Sequence, residues 1–205
     1  MTSRRGAAKP VAGHKSTSVA DPIDPRVAKT RARIADAFIE LIVRRPYYRL
    51  RVSDITRKAK IGRATFYAHF ASKDALLVDR FASITQALVV EVDDEPCFVD
   101  CTRLFAHVLG GRKIYRSLTA GPGRARTERL LQDVLESRVI ALMQARAARA
   151  HSSVTTPGFV PRFVAGTVLG LIAWGLEQEP APTPAELQAT YRSLVGQALA
   201  GGVRA

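Results

Sequence analysis

Tryptophan occurs once and cysteine twice in this 205-residue chain, and no apolar run is long enough to span a bilayer. Two cysteines, Cys97 and Cys101, are too few for a disulfide framework and lack the companion ligands of a zinc site, so a reducing, cytoplasmic setting is expected. Their i, i+4 spacing would put both on one helix face, either as small core residues or as a redox pair. The longest apolar stretch, residues 163–176, has 14 residues where a membrane helix needs about 20. It reads as a buried helix, and no membrane partner is expected. Arg4, Arg5 and Lys9 precede no apolar run of the secretory kind. Also missing are a nucleophile elbow, a phosphate-binding loop, paired carboxylates and a metal-ligating cluster. Gly110-Gly111 and Gly121-Pro122-Gly123 read as helix breakers, so neither an enzyme nor a bound cofactor or metal is expected.

Acidic side chains are scarce as well: 18 against 31 basic ones leave a formal net charge of +13. The excess is lopsided. Residues 1–80 hold 18 Lys/Arg and 7 Asp/Glu, whereas residues 81–205 hold 13 and 11. A basic front and a near-neutral back is the footprint of a polyanion-binding segment carried on a neutral body; the alternative is a merely solubilising surface.

What is present in quantity is helical periodicity. Residues 1–24 are basic, rich in small residues and Pro, and without period, and they read as a disordered arm. Ile34, Phe38, Leu41 and Ile42 then repeat at i, i+4, i+7 and i+8, predicting a helix over 26–44 that Pro46 stops. Short helices follow over 52–59 and 63–70. Ser72 caps a longer one with Asp74 in its first turn and Leu77, Phe81, Ile84 and Leu88 as its stripe. Further helices are predicted over about 96–109, a short piece to 118, 126–150 and 157–179. Thr183-Pro184-Ala185-Glu186 combines a capping box with Pro at the first helical position and starts the last helix, whose apolar face is Leu187, Tyr191, Leu194, Val195 and Ala198. No strand alternation is visible. The fold class is therefore all-α, with the basic segment in front.

Two short helices joined by a tight turn, the second exposing polar and basic groups, is the geometry that lays a helix in the major groove of DNA. Val52, Ile55 and Ala59 face inward on the first, Ile61 plugs the turn, and Phe66 and Phe70 anchor the second. Arg63, Ala64, Tyr67 and Ala68 are left on the opposite face.

This stretch closely resembles the DNA-binding domain of the tetracycline-repressor (TetR) family. The matching residues include Val52, Asp54, Ile55, Ala59, Ile61, Arg63 and the run Thr65-Phe66-Tyr67-x-His69-Phe70-x-Ser72-Lys73, followed by Leu76 and Leu77. Tight resemblance covers residues 30–81; beyond it only helix count and order match. The chain departs from the family where a turn glycine is replaced by Lys60 and a capping Ser or Thr by Gly62. Gly as N-cap costs only a few tenths of a kcal/mol, whereas Lys in a left-handed turn costs about 1 kcal/mol, so a slightly remodelled turn is expected.

The resemblance implies an N-terminal three-helix helix-turn-helix domain, residues 25–72, and a C-terminal helical effector-binding and dimerisation domain, residues 73–205. It implies a probable-repressor role on palindromic double-stranded DNA, a homodimer, and release by a small-molecule effector of unknown identity. Thr65, Tyr67, His69 and Lys73 would touch phosphates or adjacent bases, with Lys73 as a phosphate clamp. Arg63 is the candidate for bidentate contact to guanine. Ala64 shares that face, Lys60 brings charge to the turn, and Arg51, Ser53 and Arg57 are weaker phosphate candidates.

In the back half Gly166, Gly170 and Ala173 fall at i, i+4, i+7, where a partner helix could approach closely. With Phe163, Leu187, Tyr191 and Leu194 they form the expected dimer interface, the alternative being packing within one chain. His107, Tyr115, Arg112 and Trp174 are candidate ligand contacts. A rival reading of the whole is a nonspecific architectural DNA-binding protein without effector response, which uniform, salt-sensitive coating of DNA would favour.

Overall fold

The computed structural model describes residues 24–93, 97–150 and 158–202, with side chains described to residue 200. The arm expected over 1–24 lies outside the described residues except for Asp24. Its carboxylate accepts the Arg26 N–H at 2.8 Å and, with Pro25 at the first helical position, opens α1 (Pro25–Arg44). The buried face of α1 holds the predicted Ile34, Phe38, Leu41 and Ile42. Pro46 turns the chain into a 3-10 turn, Tyr47–Arg49. After it come α2 (Val52–Ala59), α3 (Arg63–His69) and α4 (Lys73–Leu88), the last capped by Ser72, whose hydroxyl accepts the Ala75 N–H at 3.0 Å.

Two differences from expectation follow α4. Residues Val90–Glu91 (β1) and Val99–Asp100 (β2) pair antiparallel, Val90 opposite Asp100 and Glu91 opposite Val99, where no strand was predicted. The helix expected to begin near residue 96, itself outside the described residues, begins at Thr102. Phe98 and Val99 before it favour extended backbone, and the Asp100 carboxylate accepts the Thr102 N–H at 2.9 Å to start α5 (Thr102–Gly110). Cys97 and Cys101 therefore share no helix; both thiols are buried, with Cys97 hydrogen-bonded to the Tyr191 hydroxyl. The β2 edge is met by a buried side chain. Gln188 Oε1 accepts the Cys101 N–H at 3.0 Å and its Nε2 donates to the Val99 carbonyl at 3.4 Å.

The chain continues through α6 (Arg112–Leu118), a 3-10 turn over Gly121–Gly123, and α7 (Arg124–Ala150), which at 27 residues is about 40 Å long. α8 (Val160–Glu177) and α9 (Pro184–Gly202) complete it, with the predicted capping box in place: Thr183 N donates to Glu186 Oε2 at 2.7 Å and Glu186 N to Thr183 Oγ1 at 3.2 Å. Among the described residues α8 alone is long and apolar enough to cross a membrane, but it turns Val164, Val168 and Ile172 into the protein interior. α7 packs on α4 and α8, α9 on α5 and α8, and α1 on α2 and α6.

Besides α1 on α6 and the Ser117 hydroxyl donating to the Arg45 carbonyl at 2.9 Å, two further contacts seat the front helices and the start of α4 on the rest. Gly121, at φ +74°, and Gly123 lie against Tyr48: a Cβ on Gly121 would come within 2.4 Å of the Tyr48 ring, so neither bulk nor an L side chain's usual φ is admissible there. The second seat is an ion pair between Arg126 and Asp74 at 2.7 Å.

Candidate nucleic-acid interface

α2 starts with the Asp54 carboxylate accepting the Arg51 N–H at 3.0 Å, and Asp54 also faces Arg45 at 3.4 Å. Its other end closes by two backbone bonds, Ile61 N–H to Thr56 O at 3.0 Å and Lys60 N–H to Arg57 O at 3.3 Å. The remodelled turn expected from Lys60 is not what forms. Lys60 simply takes the left-handed conformation, φ 53°, ψ 49°. An arginine from α1 helps hold it there: Arg33 Nη2 donates to the carbonyls of Ala59 at 2.6 Å and Lys60 at 3.2 Å, satisfying the end of α2. Nothing local in the sequence signals this contact, since Arg33 is 26 residues from Ala59.

Gly62, in extended backbone, precedes α3, and its Phe66 and His69 fall on opposite fortunes. Phe66 is fully buried and packs on Phe70 at 6.0 Å, while Arg63, Ala64, Thr65, Tyr67 and Ala68 are exposed. Tyr67, 55% exposed, stands perpendicular to the Phe66 ring at 5.5 Å. Lys60 and Arg51 are exposed beside this face. Ser53 is half-buried, its carbonyl accepting the Thr56 hydroxyl. His69 is half-buried and its carbonyl receives Arg31 Nη1 at 3.4 Å; the same guanidinium lies 4.5 Å over the Phe70 ring and pairs with Asp79.

Lys73 departs from the free clamp expected of it. Its ammonium donates to the carbonyls of Tyr47 at 3.0 Å and Leu50 at 2.9 Å and sits 4.4 Å over the Tyr47 ring. Burial lowers its pKa. Two of its three N–H groups are thus committed to the turn before α2, which makes it a tie within the protein. Next to it, burial works to raise the Asp74 pKa, but hydrogen bonds from the Tyr47 hydroxyl and the Arg126 guanidinium outweigh that and hold the carboxyl below its ordinary range. Tyr47 and Arg126 were not singled out from the sequence; their partners are 27 and 52 residues away.

Against known proteins, the model for bacterial regulatory proteins of the tetR family matches residues 34–79, from the buried face of α1 to the middle of α4. An uncharacterised HTH-type transcriptional regulator of Bacillus subtilis (strain 168), YxbF, is 46% identical over 56 residues, 27% of this chain and 15% of that protein. It is this front segment, residues 34–79, that is similar to the tetR family of bacterial regulatory proteins, and the chain spans only a small part of the B. subtilis relative. Solved structures carry the likeness of fold over the remaining helices. A TetR transcriptional regulator from Streptococcus agalactiae 2603V is 24% identical, with 83% of this chain and 95% of that one covered and a TM-score of 0.51. A TetR-family regulator from Syntrophomonas wolfei str. Goettingen is 19% identical over 86% and 97%, with a TM-score of 0.54.

Behind the helix-turn-helix, a cavity of about 290 Å³ lies among α4, α5, α6, α7 and α8. Tyr115 lines it as expected. His107 does not: it is exposed and meets the Tyr115 ring edge-on at 6.1 Å. Trp174 does not either, being 51% exposed on the outer side of α8. Arg112 is tied to the end of α8 through the carbonyls of Leu176 at 2.8 Å and Gln178 at 2.9 Å.

The expected interface residues divide. Leu187 and Tyr191 are each 1% exposed in the single chain, so they belong to its core and not to a face that a partner could reach. Gly166 leans on Gln132 of α7 and Ala173 lines the cavity. Gly170 is exposed with open space where a Cβ would stand, and it also lines the cavity, while Phe163, Trp174 and Leu194 remain outward.

Proposed function

We propose that two copies of this chain bind a palindromic DNA operator and repress transcription from it, each inserting α3 into the major groove, and that a small molecule in the cavity releases them. The reading head is residues 25–72 and the body 73–205. The observation that carries the reading is the division of α3 into a fully buried ring, Phe66, and an uninterrupted exposed face of Arg63, Ala64, Thr65 and Tyr67. Arg63 is assigned to guanine. Thr65, Tyr67 and His69 are assigned to phosphates, with Lys60, Arg51 and Ser53 beside them. Lys73 acts indirectly by holding the Tyr47–Leu50 turn. Dimerisation is assigned to the outward side of α8 and α9, through Phe163, Gly170, Trp174 and Leu194; the i, i+7, i+11 spacing of the first three along α8 and the exposure of Phe163, Trp174 and Leu194 support that choice.

The test begins with an operator selected from random duplexes. Arg63→Ala is expected to weaken that operator by about 1 to 3 kcal/mol and to flatten discrimination at one symmetric pair of base positions. Tyr67→Phe is expected to weaken operator and scrambled duplex alike and more mildly. If both variants bind both duplexes as the parent does, α3 is not the reading surface.

A further inference from the structure

We propose that the cavity takes a small uncharged molecule, apolar over most of its surface and carrying one hydrogen-bonding oxygen, which meets the Tyr115 hydroxyl. The inference rests on the reading of this cavity as the effector site and narrows what may enter it.

Size gives the first limit. A volume of about 290 Å³ is room for roughly ten molecules at the 30 Å³ each that water takes in the liquid, so the occupant has about ten non-hydrogen atoms, the scale of one substituted ring. That is at the small end of ligand pockets, which run from about 300 to 1,000 Å³.

Charge gives the second. The walls are Phe81, Val108, Leu131, Ile172 and Leu176, and the ionisable residues at the cavity are two of each sign. Three of them are already engaged, and the fourth, Glu177, is exposed. Arg124 Nε meets Glu128 Oε1 at 2.6 Å and also feels Glu177, while Arg116 Nε donates to the Leu176 carbonyl at 3.0 Å and its guanidinium faces Glu179 at 4.0 Å. An anion entering would have to separate one of these pairs while losing its own water, and a cation would find only the exposed carboxylate of Glu177, which water screens.

Tyr115 gives the third. It lines the cavity, is 7% exposed, and its hydroxyl has no hydrogen-bond partner among the described residues. Desolvation pushes its pKa up to about 12, so it stays a protonated donor. The ring is pinned from behind by the edge of His107 and by Gly111, where a Cβ would stand 3.4 Å from Tyr115 Cε2. The Tyr115 oxygen is not sealed from solvent, so a ligand oxygen in the cavity would take the place of water on it, and an oxygen-free molecule would not.

Three probes of similar size separate the claims in calorimetric titrations of the full chain: acetophenone, ethylbenzene and benzoate. Acetophenone is expected to bind roughly five- to tenfold more tightly than ethylbenzene, the worth of one neutral hydrogen bond, and benzoate not measurably. In Tyr115→Phe the two neutral probes should bind alike, with ethylbenzene unchanged from the parent; that unchanged binding also shows that the variant has kept its fold. Preference for benzoate, an advantage of acetophenone that survives in Tyr115→Phe, or no binding of either neutral probe would overturn the inference. Anisotropy of labelled operator DNA with the same probes tests the parent reading separately. Binding in the expected order without DNA release upholds the ligand class and removes the effector role.

Discussion

Lys60 sets two properties of this protein against each other, and its replacement by glycine should move them in opposite directions. At φ 53° and ψ 49° an L side chain costs about 1 to 2 kcal/mol, a penalty that glycine does not carry; glycine's larger freedom in the unfolded chain returns about 0.5 to 1 kcal/mol of it. The Arg33 bonds go to backbone carbonyls and survive the change. Lys60→Gly is therefore expected to stabilise by about 0.5 to 1 kcal/mol, which for a chain of this size raises Tm by roughly 1 to 4 °C. The exposed ammonium is lost at the same time. If it neutralises one phosphate per protomer, the slope of log affinity against log salt falls by about 0.9 per protomer, or about twice that per dimer. Lys60→Ala separates the two effects, since it removes the charge and keeps a Cβ in the left-handed region. It should lose the same affinity without the gain in Tm. Calorimetric melting and salt-dependent DNA titration of the three proteins decide the matter. A Tm of Lys60→Gly at or below that of the parent would refute the conformational argument, and an unchanged salt slope would show that Lys60 is merely solvated.

Three further outcomes follow from the packing. Asp74 has a pKa below its ordinary value in the folded state, so its contribution is complete above the ordinary carboxylate range and disappears as pH falls through the lowered value; Asp74→Asn should destabilise by about 1 to 2 kcal/mol at neutral pH, with the gap closing between about pH 5 and pH 2 in urea titrations. Gly121→Ala adds a methyl group against the Tyr48 ring at positive φ and should destabilise by about 2 to 4 kcal/mol, against no measurable change if that seat is loose. Trp174→Arg should give monomers in light scattering while Leu187→Ala, cutting into the core, should lower stability by about 2 to 5 kcal/mol; a Trp174→Arg protein that stays dimeric would move the interface off this part of α8.

The helices and the helix-turn-helix were legible because their signals are local: Ser72 and Thr183 as caps, Pro46 as a stop, Phe66 and Phe70 at i, i+4. What failed were readings that needed a partner distant in sequence. The α9 stripe was read as one outward face, yet Leu187, Tyr191 and Val195 turn inward and Leu194 outward, and only the position of α5 decides which is which. Lys73 looked free because the carbonyls it serves belong to residues 23 and 26 positions earlier. The β ladder has two residues on each side, too few for an alternating pattern to register.

The Gln188 side chain stands where a third strand of that ladder would run, offering β2 an amide oxygen and an amide N–H much as a neighbouring peptide would. An unpaired strand edge is a template on which another extended chain can form, and here that template is occupied from within by a group on α9. Sliding α9 by one residue would withdraw the amide and leave the Cys101 N–H and Val99 carbonyl open to whatever strand is nearby. The same contact thus guards against aggregation and fixes the register of α9 along the body.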